Sequence, residues 1–331
     1  MSSERAASPT TGAFQPAWWL PGPHAQTIWP AVFRPAPRVP LSGERVGLPD
    51  GDHVRLHWGP PRAGALVLLL HGLGGCAGSP YIRGQLAALA RTGFQGVAMD
   101  FRGAAGEPNR QRRFYHAGDW PDPDAVAEVL QRRYPDRPLC AVGYSLGASV
   151  LLNWLIARGR QSPLAAAVAI STPFDLGACA NHIDRGFARV YQAHILGCLR
   201  RLMRAKYRHR DDAPWPLEQL GVLSSLRVFD DRVTAPLHGF DNADDYYARA
   251  STRGRLDHIH RPTVLLHAAD DPFIPAASLP DPDALPPAVD LELTATGGHV
   301  GFVEGAHPAA ADYWLERRVP EWLRLTVGGN Y

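Results

Sequence analysis

From residue 45 onward the chain alternates short apolar runs of strand length with segments whose apolar residues recur at helical spacing. Ala65-Leu66-Val67-Leu68-Leu69-Leu70 is apolar throughout and ends close to Gly72, which predicts a strand buried on both faces of a sheet. Val54-Arg55-Leu56-His57-Trp58 alternates apolar and polar residues after the turn signal Asp50-Gly51, which predicts an early antiparallel strand. Further strands are expected over 96–99, 139–142, 165–170, 263–267 and 291–293. Helices are expected over 81–91, 124–133, 145–158 and about 309–325. Parallel neighbours need crossover connections, so this alternation implies an α/β fold with a mostly parallel central sheet flanked by helices. Right-handed crossovers then gather the loops that follow the strands along one sheet edge, where sites form.

The alternation breaks between 171 and 261, a helical stretch rich in charge and histidine with no strong strand run. The expected organisation is an N-terminal extension (1–44) packing on the core, a core built from 45–171 and 262–331, and a helical cap insertion (172–261). Composition adds limits. Hydrophobic residues make up 45% of the 331, charged residues 20%, and the net charge is +2, so charge gives no reason to expect a nucleic-acid partner. Cys76, Cys140, Cys179 and Cys198 form no CxxC pair and read as reduced, buried, small apolar groups in a cytoplasmic protein. Residues 1–11 lack the basic and apolar regions of a signal peptide. The apolar stretch 16–33 is broken by Pro21, Gly22, Pro23 and Pro30, which argues against a membrane helix.

The chemistry gathers where strands are expected to end. Gly143-Tyr144-Ser145-Leu146-Gly147 lies between a strand and a helix, the setting in which a sharp turn holds a serine proud of a sheet. The helix behind Ser145 aims the Leu146 amide at a developing oxyanion. His71-Gly72-Leu73-Gly74-Gly75, at the end of the 65–70 strand, supplies the Leu73 amide as second donor. A serine hydroxyl needs a base, and the base needs an orienting acid, which follow it in the order acid then histidine. His299, in Gly297-Gly298-His299-Val300-Gly301-Phe302, occupies the base's place. Asp271, in Asp270-Asp271-Pro272-Phe273-Ile274-Pro275, is the expected acid, with Asp270 as its competitor. Asp100 is expected to satisfy loop amides, and Arg102 to buttress the site. His57, His182 and His194 show no metal-ligand spacing, and neither a metal nor a cofactor is expected.

Together these loops resemble those of α/β-hydrolases. Two further stretches narrow the resemblance to the YheT-like (AB-hydrolase-4) family. One is Pro23-His24-Ala25-Gln26-Thr27, similar to that family's His-x-Gln-Thr signature. The other is the insert with Phe229-Asp230-Asp231-Arg232-Val233-Thr234-Ala235-Pro236, Gly239-Phe240, Tyr246-Tyr247 and Ser251. Gly22 departs from the pattern, standing where the family often has Asn. The resemblance covers about 18–322 and implies a carboxylic ester hydrolase with a Ser145–Asp271–His299 triad, in a family reaching from short-acyl esterases to phospholipid enzymes. A serine at 145 excludes the aspartate-nucleophile dehalogenases and epoxide hydrolases of the same fold.

The expected substrate is a small-molecule or lipid ester. An acyltransferase or thioesterase using the same triad, and a catalytically silent binding protein, stand as alternatives. Over 195–210, apolar residues at helical spacing accompany Arg200, Arg201, Arg204, Lys206, Arg208 and Arg210. This predicts a cap helix with its apolar stripe over the site, or else a face for weak contact with anionic lipid. Trp18-Trp19-Leu20 and Ile28-Trp29 are expected to pack on the core or line an acyl pocket.

Overall fold

The computed structural model describes residues 12–104 and 108–328; the signal-peptide expectation and the start of the 1–44 extension lie outside the described residues. Helix α1 (Gly22–Val32) precedes β1 (Ser42–Gly47), β2 (His53–Trp58) and β3 (Leu66–Leu70). The alternation continues with α2 (Pro80–Arg91), β4 (Gln95–Asp100), α3 (Pro121–Arg133), β5 (Leu139–Tyr144), α4 (Leu146–Arg158) and β6 (Ala166–Ile170). A helical stretch follows, with α5 (Leu176–Ile183), α6 (Arg189–Tyr207), α7 (Leu226–Phe229), α8 (Ala235–His238) and α9 (Ala243–Ala250). The chain then returns to β7 (Thr263–Ala268), β8 (Val289–Thr294), a hairpin of β9 (Val303–Glu304) and β10 (Asp312–Tyr313), and α10 (Trp314–Val327).

Eight strands form one sheet in the order β1-β2-β4-β3-β5-β6-β7-β8. Pairing is antiparallel at β1–β2 and β2–β4 and parallel from β4 onward. Strand β3 shows why the centre is stable: all of its residues are buried. Leu66, Leu68 and Leu70 meet the apolar faces of α3 and α4. Val67 and Leu69 face the other way, toward α2 and α10. Period-two alternation thus feeds two apolar layers. The parallel register also aligns the C-terminal ends of β3, β5, β6, β7 and β8 on one edge, and their exit loops carry the candidate site.

Several boundaries differ from the sequence expectation. Strand β1 was not foreseen because only Val46 in it is buried; pairing with β2, rather than an apolar run, makes it a strand. Helix α3 starts at Pro121, a residue suited to a first helical turn, with Asp122 and Asp124 favourably placed at the positive end of the helix. The stretch before α10 is a hairpin, so that helix begins at Trp314 rather than near 309. In α1, Gly22 takes φ +76°. That left-handed conformation is tolerated by glycine and, next best, by asparagine, so Gly22 serves the turn where the family often places Asn. Pro30 sits inside α1, and the helix stops at Val32. Among the described residues no helix is long and apolar enough to cross a membrane.

Arg102 ties the loops together. Its guanidinium bonds Asp122 twice, Asp50 and Asp52 at 2.5–3.0 Å, with its side chain 1% exposed. It therefore joins the β1–β2 turn to the start of α3. Removing one member of a buried ionic cluster strands the others without a counter-charge. Arg102→Met is expected to cost about 3–5 kcal/mol of stability, read as a lower midpoint in urea unfolding.

Candidate active site

Ser145 sits at the tip of β5 with φ +51° and ψ −119°, a strained conformation for a residue with a side chain. Its neighbours allow it. A Cβ on Gly143 would lie 2.4 Å from the Gly147 carbonyl oxygen; one on Gly147 would lie 2.3 Å from that of Leu70 and 2.6 Å from that of His71. Only glycine permits this approach, and the tight turn turns the Ser145 hydroxyl away from the sheet edge.

The exit loops of β7 and β8 meet that hydroxyl. His299 Nε2 lies 2.9 Å from Ser145 Oγ, and His299 Nδ1 lies 2.8 Å from Asp271 Oδ2. An ionised carboxylate can only accept, so the Nδ1 proton points at Asp271 and the Nε2 lone pair at Ser145. The other Asp271 oxygen accepts from the Phe273 amide at 2.8 Å, and the Asp271 side chain is fully buried. Asp270 is turned elsewhere. It accepts from the Gly298 amide at 2.9 Å and bends the loop that carries His299, and burial raises its carboxyl above the ordinary value. His267 stands 3.9 Å from Asp271; burial holds it near a pKa of about 4, so it is neutral there at physiological pH.

The His299 loop is clamped from the N-terminal side, which the sequence reading did not foresee. Thr27 Oγ1 accepts the His299 amide at 2.9 Å and donates to the Pro23 carbonyl at 2.7 Å. Gln26 bonds Val303 with both ends of its amide, at 2.8 and 3.1 Å. Gly298 and Gly301 are pressed against α1 so closely that a Cβ would fall 2.6 Å or less from its backbone carbonyls. An aromatic chain adds to this: His24 Nδ1 meets the Tyr191 hydroxyl at 2.8 Å, Tyr191 stacks on Phe273, and Phe273 stacks on His299 with 4.1 Å between centroids. Val300 adopts φ +57°, an uncommon conformation for a β-branched residue, and its amide donates to Ser171 Oγ at 3.0 Å. The His-x-Gln-Thr signature was the available signal.

The loop after β3 lies beside Ser145. The Gly72 amide donates to the Tyr81 hydroxyl at 2.9 Å and the Gly74 amide to the Tyr115 hydroxyl at 3.1 Å. Between them the Leu73 amide, like that of Leu146, meets no backbone or side-chain acceptor among the described residues. Both amides border a cavity of about 610 Å³ that also contains Ser145 and His299. Its walls are mostly apolar, drawn from α1, α5 and α6. Such a site can have a hydroxyl lose its proton to an imidazole while two amides receive a negative oxygen.

Other expected residues are redistributed. Asp100 accepts from the Ala77 amide and pairs with His57 at 2.7 Å, as a loop anchor should. Ile28 lines the cavity, whereas Trp19 and Trp29 pack on each other and on the Val303 cluster. Trp18 is exposed. Of the cysteines only Cys140 is fully buried; Cys179 and Cys198 line the cavity. Helix α6 spans 189–207 rather than 195–210 and presents Ile195, Cys198 and Leu199 to the cavity. Its basic face is thinner than the sequence suggested. Lys206 turns inward to bond Asn109 and the Arg113 carbonyl, Arg200 bonds the Leu223 carbonyl, and Arg210 pairs with Asp212.

A family profile for the alpha/beta hydrolase fold matches residues 65–306. The chain is 42% identical to YheT of Escherichia coli (strain K12), over 91% of this chain and 89% of that one. It is 32% identical to phospholipase ABHD3 of Mus musculus, over 96% of this chain and 79% of that protein. Among solved structures, the Pyrococcus furiosus esterase Pf2001 superposes with a TM-score of 0.58 at 17% identity, over 88% of this chain and 94% of that one, a likeness of fold. With its mostly parallel sheet, the strand–turn–helix at Ser145 and these relatives, the chain belongs to the α/β-hydrolase fold family, on its YheT-like branch.

Proposed function

We propose that this hydrolase cleaves carboxylic esters through an acyl-enzyme on Ser145. His299 takes the Ser145 proton as Oγ attacks the ester carbonyl, and the Leu73 and Leu146 amides hold the resulting oxyanion. The tetrahedral intermediate collapses, and His299 protonates the departing alkoxide. Water, deprotonated by the same imidazole, then releases the acid. Asp271 keeps the ring in the working tautomer and stabilises its cation. The observation that carries the reading is the unbroken chain Ser145–His299–Asp271, with links of 2.9 and 2.8 Å, opening into an apolar cavity. Relatives named as a phospholipase and, in Saccharomyces cerevisiae, a monoacylglycerol lipase support an ester, lipid esters included, as the substrate class.

Within this reading residues 172–261 form a cap whose helices α5 and α6 wall the cavity, and the N-terminal extension braces the base. Lipid contact through the basic side of α6 has less support, because Lys206, Arg200 and Arg210 are engaged within the protein.

A fluorophosphonate probe is expected to label the wild type and not Ser145→Ala; a folded wild type that stays unlabelled would overturn the reading. The clamp generates a second expectation. Thr27→Val removes the acceptor for the His299 amide and should lower kcat on p-nitrophenyl esters roughly tenfold to a hundredfold, with KM little changed. Thr27→Ser, which keeps the hydroxyl, should retain most of the activity.

A further inference from the structure

The insert motif around Asp230 has no part in the mechanism above, yet it reaches the same cavity. Asp230 opens a π-helical turn, Asp230–Thr234, between α7 and α8. Such turns insert an extra residue into the helix and re-aim its side chains, and they recur at functional sites. Here Asp230 and Thr234 border the cavity that holds Ser145, together with Tyr246 and Tyr247.

Asp230 is a carboxylate in an unusual position. Thr234 Oγ1 donates to one of its oxygens at 2.6 Å and the Tyr247 hydroxyl to the other at 2.8 Å. Both donors are neutral. The arginines nearby in sequence are engaged elsewhere, Arg227 with Asp244 at 2.5 Å and Arg232 with Asp231 at 3.6 Å. Enclosure by protein raises the Asp230 carboxyl to about 6, so it is largely ionised at neutral pH without a counter-charge. A carboxylate offers about four acceptor positions, and two are filled. The residue is half-buried and lines the cavity. Beside it, the Tyr246 hydroxyl accepts from the Ala117 amide at 3.1 Å, which leaves its own proton free to donate.

The cavity has two differently exposed sides. Toward α1 and the start of α6 its rim includes Val32 and Val190, both more than half exposed. Toward α5 and the π-helical turn its walls include Leu176, Ala180 and Tyr247, which are half-buried or buried. The alcohol of an ester must leave first, while the acyl group stays on the serine until water arrives. The enclosed side therefore suits the acyl part.

We propose that the Asp230 end of the cavity is an acyl subsite for a chain whose far end donates a hydrogen bond, a hydroxyl being the simplest case. This rests on the ester-hydrolase reading for what the site does with the chain, and its binding can be tested apart from that reading. An unsubstituted alkyl chain long enough to reach Asp230 would strip water from an ionised oxygen and return nothing. A terminal hydroxyl replaces that water and fills an open acceptor position. Tyr246 can donate to the same hydroxyl's oxygen.

The test uses p-nitrophenyl alkanoates and their ω-hydroxy counterparts, paired by chain length. The ratio of kcat/KM within each pair is read for each protein separately, so a loss of folded protein cancels. In the wild type the ratio is expected to rise with length and favour the ω-hydroxy ester at one chain length. Asp230→Ala should lower that peak ratio tenfold or more, the scale of one hydrogen bond to a charged acceptor. Asp230→Asn, which keeps an acceptor oxygen, should fall between. The same pairs are titrated calorimetrically into Ser145→Ala with and without Asp230→Ala, and the ratio of Kd values should change in parallel. A ratio that is flat with chain length in the wild type, or unchanged by both Asp230 substitutions, would overturn the subsite. Absence of turnover on every ester would instead sink the hydrolase reading, with the Kd ratios still deciding the subsite.

Discussion

The close approach of α4 to the loop leaving β3 governs the geometry of this protein's site. Gly147 packs its Cα against the carbonyls of Leu70 and His71, and Gly143 packs against the first turn of α4. Because no side chain intervenes, the chain must reverse at Ser145 in a conformation that costs energy for a serine. The surrounding sheet sustains that strain. Strand β5 is buried on both faces and paired on both edges, so the turn cannot relax by shifting register. The same contact sets the loop after β3 against the turn at Ser145, and Leu73 and Leu146 both line the cavity beside it. One packing constraint thus sets the turn that carries the Ser145 hydroxyl.

The candidate base, His299, is held by different means. His299 rides on a loop with left-handed residues at Gly298, Val300 and Phe302, which would be mobile if it were unsupported. Its support comes from the far end of the sequence: α1 accepts the His299 amide through Thr27 and brackets Val303 through Gln26. Tyr191 of α6 is linked by stacking through Phe273 to the imidazole itself. The N-terminal segment, the helical stretch and the core therefore converge on one ring.

Much of this was legible in the sequence, and the reasons are specific. Strands such as β3 and β6 are continuous apolar runs because they are buried on both faces, and glycines at 143 and 147 mark a backbone approach that only glycine allows. Ser145, Asp271 and His299 were chosen from the loops that follow such strands, and the fold brings these loops together. What escaped notice depends on partners distant in the chain. Strand β1 has almost no apolar signal because its stability lies in pairing with β2. The roles of Thr27 and Gln26 are invisible locally, since their partners lie more than 250 residues away. The inward turn of Lys206 follows from a hydrogen-bond partner in another loop, and six basic residues in one window look like a uniform charged face without it. The π-helical turn at Asp230 has no periodicity signal at all.

The proposed chemistry depends on Ser145 carrying the acyl group. The most direct measurement quenches the protein with acid during turnover of a p-nitrophenyl ester and locates the acyl group by peptide mass mapping. An acyl ester is expected on Ser145 and on no other residue, formed as fast as the first p-nitrophenolate is released. Turnover with the acyl group on another side chain, or a burst of p-nitrophenolate that leaves Ser145 unmodified, would contradict it.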